Sequence, residues 1–382
     1  MYKFGVKKTK ESLRVASPYL FLLLALGIVM PLAPTPFPFQ FWIWRTDFIN
    51  GMLPILSLWL LIVNSDISAD FKTAIIVAAF ISGIYALVLT QTDGINPYVF
   101  GLKLLSGADI TESWYADDNR LFGRISSTFV HPMTWAFVIG TLIIFIFYIR
   151  KQISKLVFIS LMLILVTDMF FCGVRSVIGA LIVFVGAYLV MKRQIKVFLY
   201  TILIGIVLLL ILSTNDFLYG YVASIFDLSD KNEIANGSSF SMRLNQLSAA
   251  FKEMARSPII GNGYGWHLLY LQKYGGHPDL LGFESLVFTV ICDFGVWGVF
   301  VWICYVISLL ILPIRLLKNK ESVTLIQCFV LYYVAYACVT GDFAGYYFLW
   351  FYVIMVAISY REIKVEKTKT VLLNILMLKQ NK

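Results

Sequence analysis

The chain has 382 residues, of which 59 % are apolar and only 14 % charged. So few charges cannot clothe a water-soluble surface, and a mean hydropathy of +0.81 excludes an ordinary two- or three-domain soluble protein. The net charge of +9 would suit a polyanion, but its distribution along the chain follows membrane sides and calls for no nucleic acid.

The apolar residues fall into runs near the roughly 20 residues that an α-helix needs to cross hydrocarbon. Taken in chain order, spans are expected at Tyr19–Ala33, Ile49–Val63, Thr73–Leu89, Thr128–Ile149, Leu156–Gly173, Val177–Met191, Val197–Ser213, Val296–Pro313, Val323–Thr340 and Ala344–Ser359. The stretch Leu156–Met191 is too long for one crossing, and Cys172-Gly173-Val174-Arg175 supplies a hinge between two. The fold class is therefore all-α: one polytopic membrane domain, residues 1–382, with about ten transmembrane helices. Placing the N-terminus in the cytoplasm puts 21 of the 31 Lys and Arg residues on that side, as the bias of short cytoplasmic loops towards basic residues requires. The first run follows a basic region but lacks a small-residue cleavage site, so it reads as an uncleaved first span. Both termini are then cytoplasmic, with residues 361–382 as a basic tail.

Nearly all of the loop mass falls outside, in residues 91–127 and above all in residues 214–283, between spans seven and eight. Inside there is no room for a nucleotide-binding domain, so an activated substrate must arrive lipid-linked or already exported. In the large loop, Ser241 is a plausible N-cap, and Leu244, Leu247, Phe251 and Met254 recur at helical spacing until Ser257-Pro258. This predicts an amphipathic helix with Arg243 in its first turn, away from the apolar stripe. The glycine-rich Pro258–Gly265 stretch permits tight turns and is a weak candidate for a phosphate cradle, since no strand precedes it. Residues 284–313 exceed one span, and Asp293-Phe294-Gly295 interrupts them. A short interfacial helix is expected from Glu284 to Phe294, with the true span starting near Val296.

No spaced His/Cys/Asp/Glu set suggests a metal, and all five cysteines lie in or beside apolar runs. Asp117-Asp118 would suit a divalent ion, but the first outer loop offers only Asp47 as an acid. No metal and no cofactor are expected.

Four features in order then carry a resemblance: Gly123-Arg124 leading into Thr128-Phe129 and Pro132; Arg175-Ser176 between two close spans; an Arg243-led helix ending in Ser-Pro-Ile-Ile-Gly-Asn-Gly-Tyr-Gly at Gly265; and Glu284-Ser285 followed by Cys-Asp-Phe-Gly-Val-Trp-Gly. Over roughly Arg120 to Val299, and in overall topology, the chain resembles the O-antigen polymerase and O-antigen ligase superfamily, Wzy-like, with a GT-C-like plan.

The resemblance implies a metal-independent glycosyltransferase that takes a glycan from undecaprenyl diphosphate at the outer leaflet and joins it to an acceptor sugar. It implies that Arg124, Arg175 and Arg243 bind the diphosphate. A planar, permanently charged guanidinium suits the negative charge that develops on such a leaving group. An acid or histidine near the end of the large loop would take the acceptor's proton. Glu284 and His277 are the two candidates, with His267 behind them and His131 a more remote contact. Ligases of this superfamily usually carry His-Asn just before the helix that follows the loop; Glu284-Ser285 here favours polymerase over ligase. The implied partners are lipid-linked glycan donor and acceptor, membrane lipid and a possible chain-length-regulating membrane protein. A ligase stays open as an alternative, as does, from another class, a transporter or flippase of lipid-linked oligosaccharides. The bland readings also stay open: Arg175 snorkelling or pairing with Asp168, Arg243 as a solvated helix residue, Arg124 as an interfacial anchor, and His277 as a plain turn residue.

Overall fold

The computed structural model describes residues 2–64, 67–92, 96–106, 125–200, 203, 207, 240–341 and 345–380. Their named elements are all helical: α1 (Tyr2–Gly27), a 3-10 turn at Met30–Leu32, α2 (Phe37–Asn64), α3 (Ser68–Leu89), α4 (Pro97–Ser106), α5 (Pro132–Tyr148), α6 (Lys155–Phe171), α7 (Arg175–Met191), α8 (Phe240–Met254), α9 (Trp266–Tyr274), α10 (Leu286–Leu316), α11 (Lys320–Thr340) and α12 (Gly345–Gln380). Lys10–Leu32, Phe37–Asn64, Ser68–Leu89, Leu286–Leu316 and Lys320–Thr340 are long and apolar enough to cross a membrane, and α5 and α7 are shorter apolar helices. Of the expected seventh span, residues 197–200, 203 and 207 are helical; the rest, and the large loop before residue 240, lie outside the described residues.

Lipid-facing stripes explain where the apolar surplus goes. Along α3, Val77, Ile81, Ile84 and Val88 recur at helical spacing and are about half exposed; Leu156, Ile159 and Leu163 do the same along α6. The inner faces pack closely. Tyr332 and Tyr336 of α11 donate their hydroxyls to the carbonyls of Phe137 and Met133 on α5, at 2.9 and 2.5 Å. Gly140 makes that approach possible, because a Cβ there would overlap the Tyr332 ring.

Several boundaries differ from the sequence expectation. Helix α1 starts at Tyr2 and α12 runs through the polar tail to Gln380. Hydropathy marks where the membrane begins, whereas a helix continues for as long as its residues favour it. Helix α2 starts at Phe37, so Asp47, expected in an outer loop, lies within a helix. Pro38 falls in that helix's first turn, where a missing N–H costs nothing. The hinge at residues 172–175 is present, with Gly173 at φ 64° between α6 and α7.

Helix ends are tied together in two groups. Arg150 and Lys151, after α5, pair with Glu321 of α11 at 2.6 and 2.9 Å, while Lys72 of α3 pairs with Glu362 of α12 at 3.3 Å. At the opposite helix ends, Asn96 bonds Ser126 and the Ser127 carbonyl, and Ser285 donates to the Cys338 carbonyl at 2.6 Å.

Candidate active site

The site is organised by a break in α10. Gly295 has φ 59° and ψ −148°, a conformation essentially reserved for glycine. The break removes the helical bonds from Val296 and Trp297 back to Cys292 and Asp293. The Pro258–Gly265 loop replaces both halves of each. Val296 and Trp297 donate to the carbonyls of Pro258 and Ile259 at 3.0 and 2.9 Å; Asn262 and Gly263 donate to those of Cys292 and Asp293 at 3.0 and 2.8 Å. A Cβ on Gly261 would run into the backbone of Asp293 and Phe294, which explains the glycine at that position. The break therefore falls where the sequence predicts it, and the helix above it starts at Leu286, with Ser285 as N-cap, its hydroxyl accepting from Val287 at 3.2 Å. Glu284 stands just before that cap instead of opening the helix.

The same bonds dispose of the phosphate-cradle reading. From Gly261 to His267 every backbone N–H has an acceptor within the protein: Ser257, Cys292, Asp293 and Gly263 carbonyls, the Gln40 side chain, and the Asp293 carboxylate twice. Along the glycine-rich part of the loop, from Gly261 to Gly265, no N–H is left to hold an oxyanion.

Helix α8 packs against α10. Its buried face is Gln246, Ala249, Ala250 and Glu253, whereas Leu244 and Phe251 of the expected apolar stripe are about half exposed. Leu247 and Met254 of the same stripe pack against the buried cluster with Ala249 and Ala250. Arg243 lies on the inward side, half-buried, with its guanidinium 2.9 Å from Gln246 Oε1 and 3.2 Å from Glu284 Oε2. Burial lowers the Arg243 pKa, and the Glu284 carboxylate opposes that shift. The backbone leading into Glu284 is bent hard: Leu281 and Phe283 have φ 52° and 57°, unusual for side chains of that size, and a Cβ-free Gly282 separates them.

His277 is in the turn below. Its Nδ1 accepts from the backbone N–H groups of Asp279 and Leu280 at 3.1 and 3.0 Å, and its Nε2 is 3.6 Å from Glu253 Oε1. With Nδ1 committed to two donors and Nε2 facing a carboxylate, the ring is held as an element of the turn. Its ring packs against Phe283, which also contacts His267.

His267 occupies a different kind of position. Its Nδ1 is 2.7 Å from Asp293 Oδ2, and that buried carboxylate also accepts from the N–H groups of Gly265 and His267 itself at 3.2 and 3.0 Å. The Asp293 carboxylate thus holds the His267 ring through Nδ1 and fixes its orientation. Nearby, Asp47 of α2 accepts from the hydroxyls of Tyr264 and Tyr346 at 2.7 and 2.5 Å. Burial, with the Asp47 carboxylate beside it, raises the Tyr264 phenol well above its ordinary pKa, so it stays a donor. Sequence reasoning assigned Asp47 no role in a site; the signal available was an acid in an otherwise apolar segment.

Arg175 is the first residue of α7, half-buried, and comes from a different element than the Arg243–Glu284 pair. It is not partnered by Asp168. That side chain is buried on α6 against Gly83, and neither carboxylate oxygen has a hydrogen-bond partner among the described residues. Arg124, Asp117 and Asp118 lie outside the described residues. His131 caps α5, its Nδ1 accepting from Met133 at 3.1 Å. Among the described residues no group of three or more potential ligands could hold a metal ion.

These features define a multi-pass helical membrane protein with a charged site built where a loop repairs a broken helix. Residues 161–303 match the family model Wzy_C, described as O-antigen ligase. The match bears out the resemblance to the O-antigen polymerase and ligase superfamily, and takes in the second half of α6, all of α7, Arg175, Arg243, His277, Glu284 and the broken part of α10. No curated protein matches the chain.

Proposed function

We propose that the protein polymerises oligosaccharide repeat units carried on undecaprenyl diphosphate, at the outer face of a bacterial cytoplasmic membrane. The observation that carries this reading is the Arg243–Glu284 contact, 3.2 Å long, inside the segment that matches the O-antigen ligase family. It joins a phosphate-binding residue type to a proton-accepting one at a single point. A ten-span topology with residues 214–283 outside accords with the two groups of helix ends: the basic connectors of α5, α11 and α12 share one end, and α8, α9 and the glycine loop gather at the other.

In the proposed step, Arg124, Arg175 and Arg243 hold the donor's diphosphate. An acceptor hydroxyl oxygen attacks the anomeric carbon, the bond from that carbon to the diphosphate oxygen breaks, and its electron pair leaves with undecaprenyl diphosphate. The hydroxyl proton passes to the Glu284 carboxylate. In the substrate-free protein Arg243 and Glu284 neutralise each other. A diphosphate drawing Arg243 towards itself frees the carboxylate to act as base, so donor binding and base activation are coupled. Glu284 is preferred over His277 because the histidine's Nδ1 is already committed to backbone donors.

The description of the matched family favours a second reading, a ligase that transfers finished polymer to a terminal acceptor. Gene deletion separates them, with surface and lipid-linked glycans compared by gel ladder and mass spectrometry. A polymerase loss leaves single repeat units on the carrier and at most one unit on the final acceptor. Long polymer stranded on the carrier establishes a ligase instead, and an unchanged ladder overturns both and favours the flippase.

A further inference from the structure

At the helix ends away from the arginine site, two connectors carry clustered cations, and they are treated differently. After α5, Arg150 and Lys151 meet the Glu321 carboxylate and Gln152 bonds Glu362, so that charge is answered within the protein. After α7 come Lys192, Arg193 and Gln194, and a new helical run from residue 195 brings Lys196. Among the described residues no acid pairs with these three cations. Lys192 lies over the Tyr188 ring, 5.8 Å from its centroid, and Arg193 and Lys196 are exposed. Three residues between two helices are too few to lift the charges clear of the membrane. Val190, Met191, Ile195 and Val197 on either side are apolar and exposed, as lipid-facing positions are. The cations therefore stand at the hydrocarbon boundary, with lipid headgroups for neighbours.

The backbone supplies a second observation. The Gln194 N–H bonds the Leu189 carbonyl and the Arg193 N–H that of Val190, both at 2.9 Å, which is the Schellman closure of a helix. It sets Arg193 at φ 56°, a place usually filled by glycine. An arginine kept there against its backbone preference argues for a use of its side chain. The α10–α11 connector has no such feature: Arg315, Lys318 and Lys320 are exposed, but the buried Leu317 and the helix-capping Asn319 lie among them. We infer that Lys192, Arg193 and Lys196 form a site for the phosphate headgroup of an anionic glycerophospholipid, which anchors the end of α7. The exposed apolar residues on both sides of the connector match acyl chains, which a soluble anion lacks. By the charge bias this lipid belongs to the cytoplasmic leaflet, where anionic lipids attract clustered Lys and Arg. The site lies apart from glycosyl transfer and does not depend on that reading.

The test uses the full-length protein, stripped of lipid in a neutral maltoside detergent and titrated with dioleoyl phosphatidylglycerol or dioleoyl phosphatidylcholine. Native mass spectrometry counts the lipid bound, and a melting curve on each sample reports folding. The native protein should retain phosphatidylglycerol more tightly than phosphatidylcholine. The triple variant Lys192→Gln/Arg193→Gln/Lys196→Gln should weaken phosphatidylglycerol binding about tenfold or more and leave phosphatidylcholine binding unchanged. The variant Arg315→Gln/Lys318→Gln/Lys320→Gln removes equal charge at the same helix ends and should keep most of the binding. Arg193→Gly gives the sharpest reading. It relieves the left-handed backbone, so the lipid-free protein should melt no lower than the native one, while phosphatidylglycerol binding falls about fivefold, the share of one cation. Equal retention of the two lipids by the native protein, full phosphatidylglycerol binding in the Lys192 triple variant and in Arg193→Gly, or an equal loss in both triple variants overturns the site.

Discussion

Arg243 and Glu284 form a pair with side chains 23 % and 32 % exposed, so their mutual attraction is partly screened and worth at most about 1 kcal/mol to the fold. In the proposed step their value is of another order, because a fixed cation at a developing diphosphate acts mainly on the transition state. Arg243→Ala is therefore expected to lower transfer about a hundredfold or more while leaving the thermal midpoint within a few degrees. Arg243→Lys keeps the charge and loses the fork, which predicts an intermediate deficit of about tenfold. A repeat-unit extension assay on purified protein, with a melting curve on the same sample, checks both. His277 allows a sharper distinction. An asparagine oxygen can replace Nδ1 as acceptor for the Asp279 and Leu280 N–H groups, so His277→Asn should retain most activity, whereas His277→Ala strands both donors and should cost about 1–3 kcal/mol of stability. An inactive but fully stable His277→Asn protein would make His277 the base. The charged candidates were legible in the sequence because an Arg or Glu among apolar runs is conspicuous. Asp47 was not, since its partners Tyr264 and Tyr346 are 217 and 299 residues away and nothing local announces the encounter.

At the scale of elements, the break in α10 was readable, because an overlong apolar run containing Asp-Phe-Gly cannot be one straight span. Its repair by the glycine loop was not, since the four bonds that restore the ladder join residues 30 and 38 positions apart and depend on backbone geometry. The same geometry makes the glycines unequal. Gly275 has φ 77° but open space around its missing Cβ, so Gly275→Ala is expected to cost about 1 kcal/mol, the penalty of the left-handed backbone alone. Gly261→Ala and Gly295→Ala add overlap with the backbone across the break, so each should cost well over 2 kcal/mol and expose the orphaned carbonyls of Cys292 and Asp293. Thermal unfolding of the three variants ranks them, and equal midpoints would mean that the loop does not hold the break. Helix α8 shows what its stripe alone leaves out. Leu247 and Met254 pack on the buried cluster, but Leu244 and Phe251 are about half exposed, because the helix is turned so that Arg243 meets Glu284 and Glu253 faces His277 of the turn, partners that lie outside its own sequence.

For the whole molecule, basic residues and helix ends make one joint statement about sidedness, and either alone would be weaker. The charge bias assigns Lys151 to the cytoplasm and the large loop to the exterior. Independently of charge bias, packing ties Arg150 and Lys151 to α11 and Lys72 to α12 at one set of helix ends, while the glycine loop clasps residues 35 and 40 at the start of α2, at the other. Single cysteines read this directly. Lys273→Cys, at an exposed position on α9, should react with a membrane-impermeant maleimide in intact cells. Lys151→Cys, with its side chain 73 % exposed, should react only after the membrane is opened. The native thiols interfere little, since Cys172, Cys292 and Cys328 are buried and Cys304 and Cys338 are half-buried in helices. Labelling of both positions from one side would break the correspondence between charge and packing, and with it the outward placement of Arg243 and Glu284. Reaction of Lys151→Cys alone in intact cells would invert the molecule and put the site where the cell's nucleotide sugars are, removing the reason to require a lipid-linked donor.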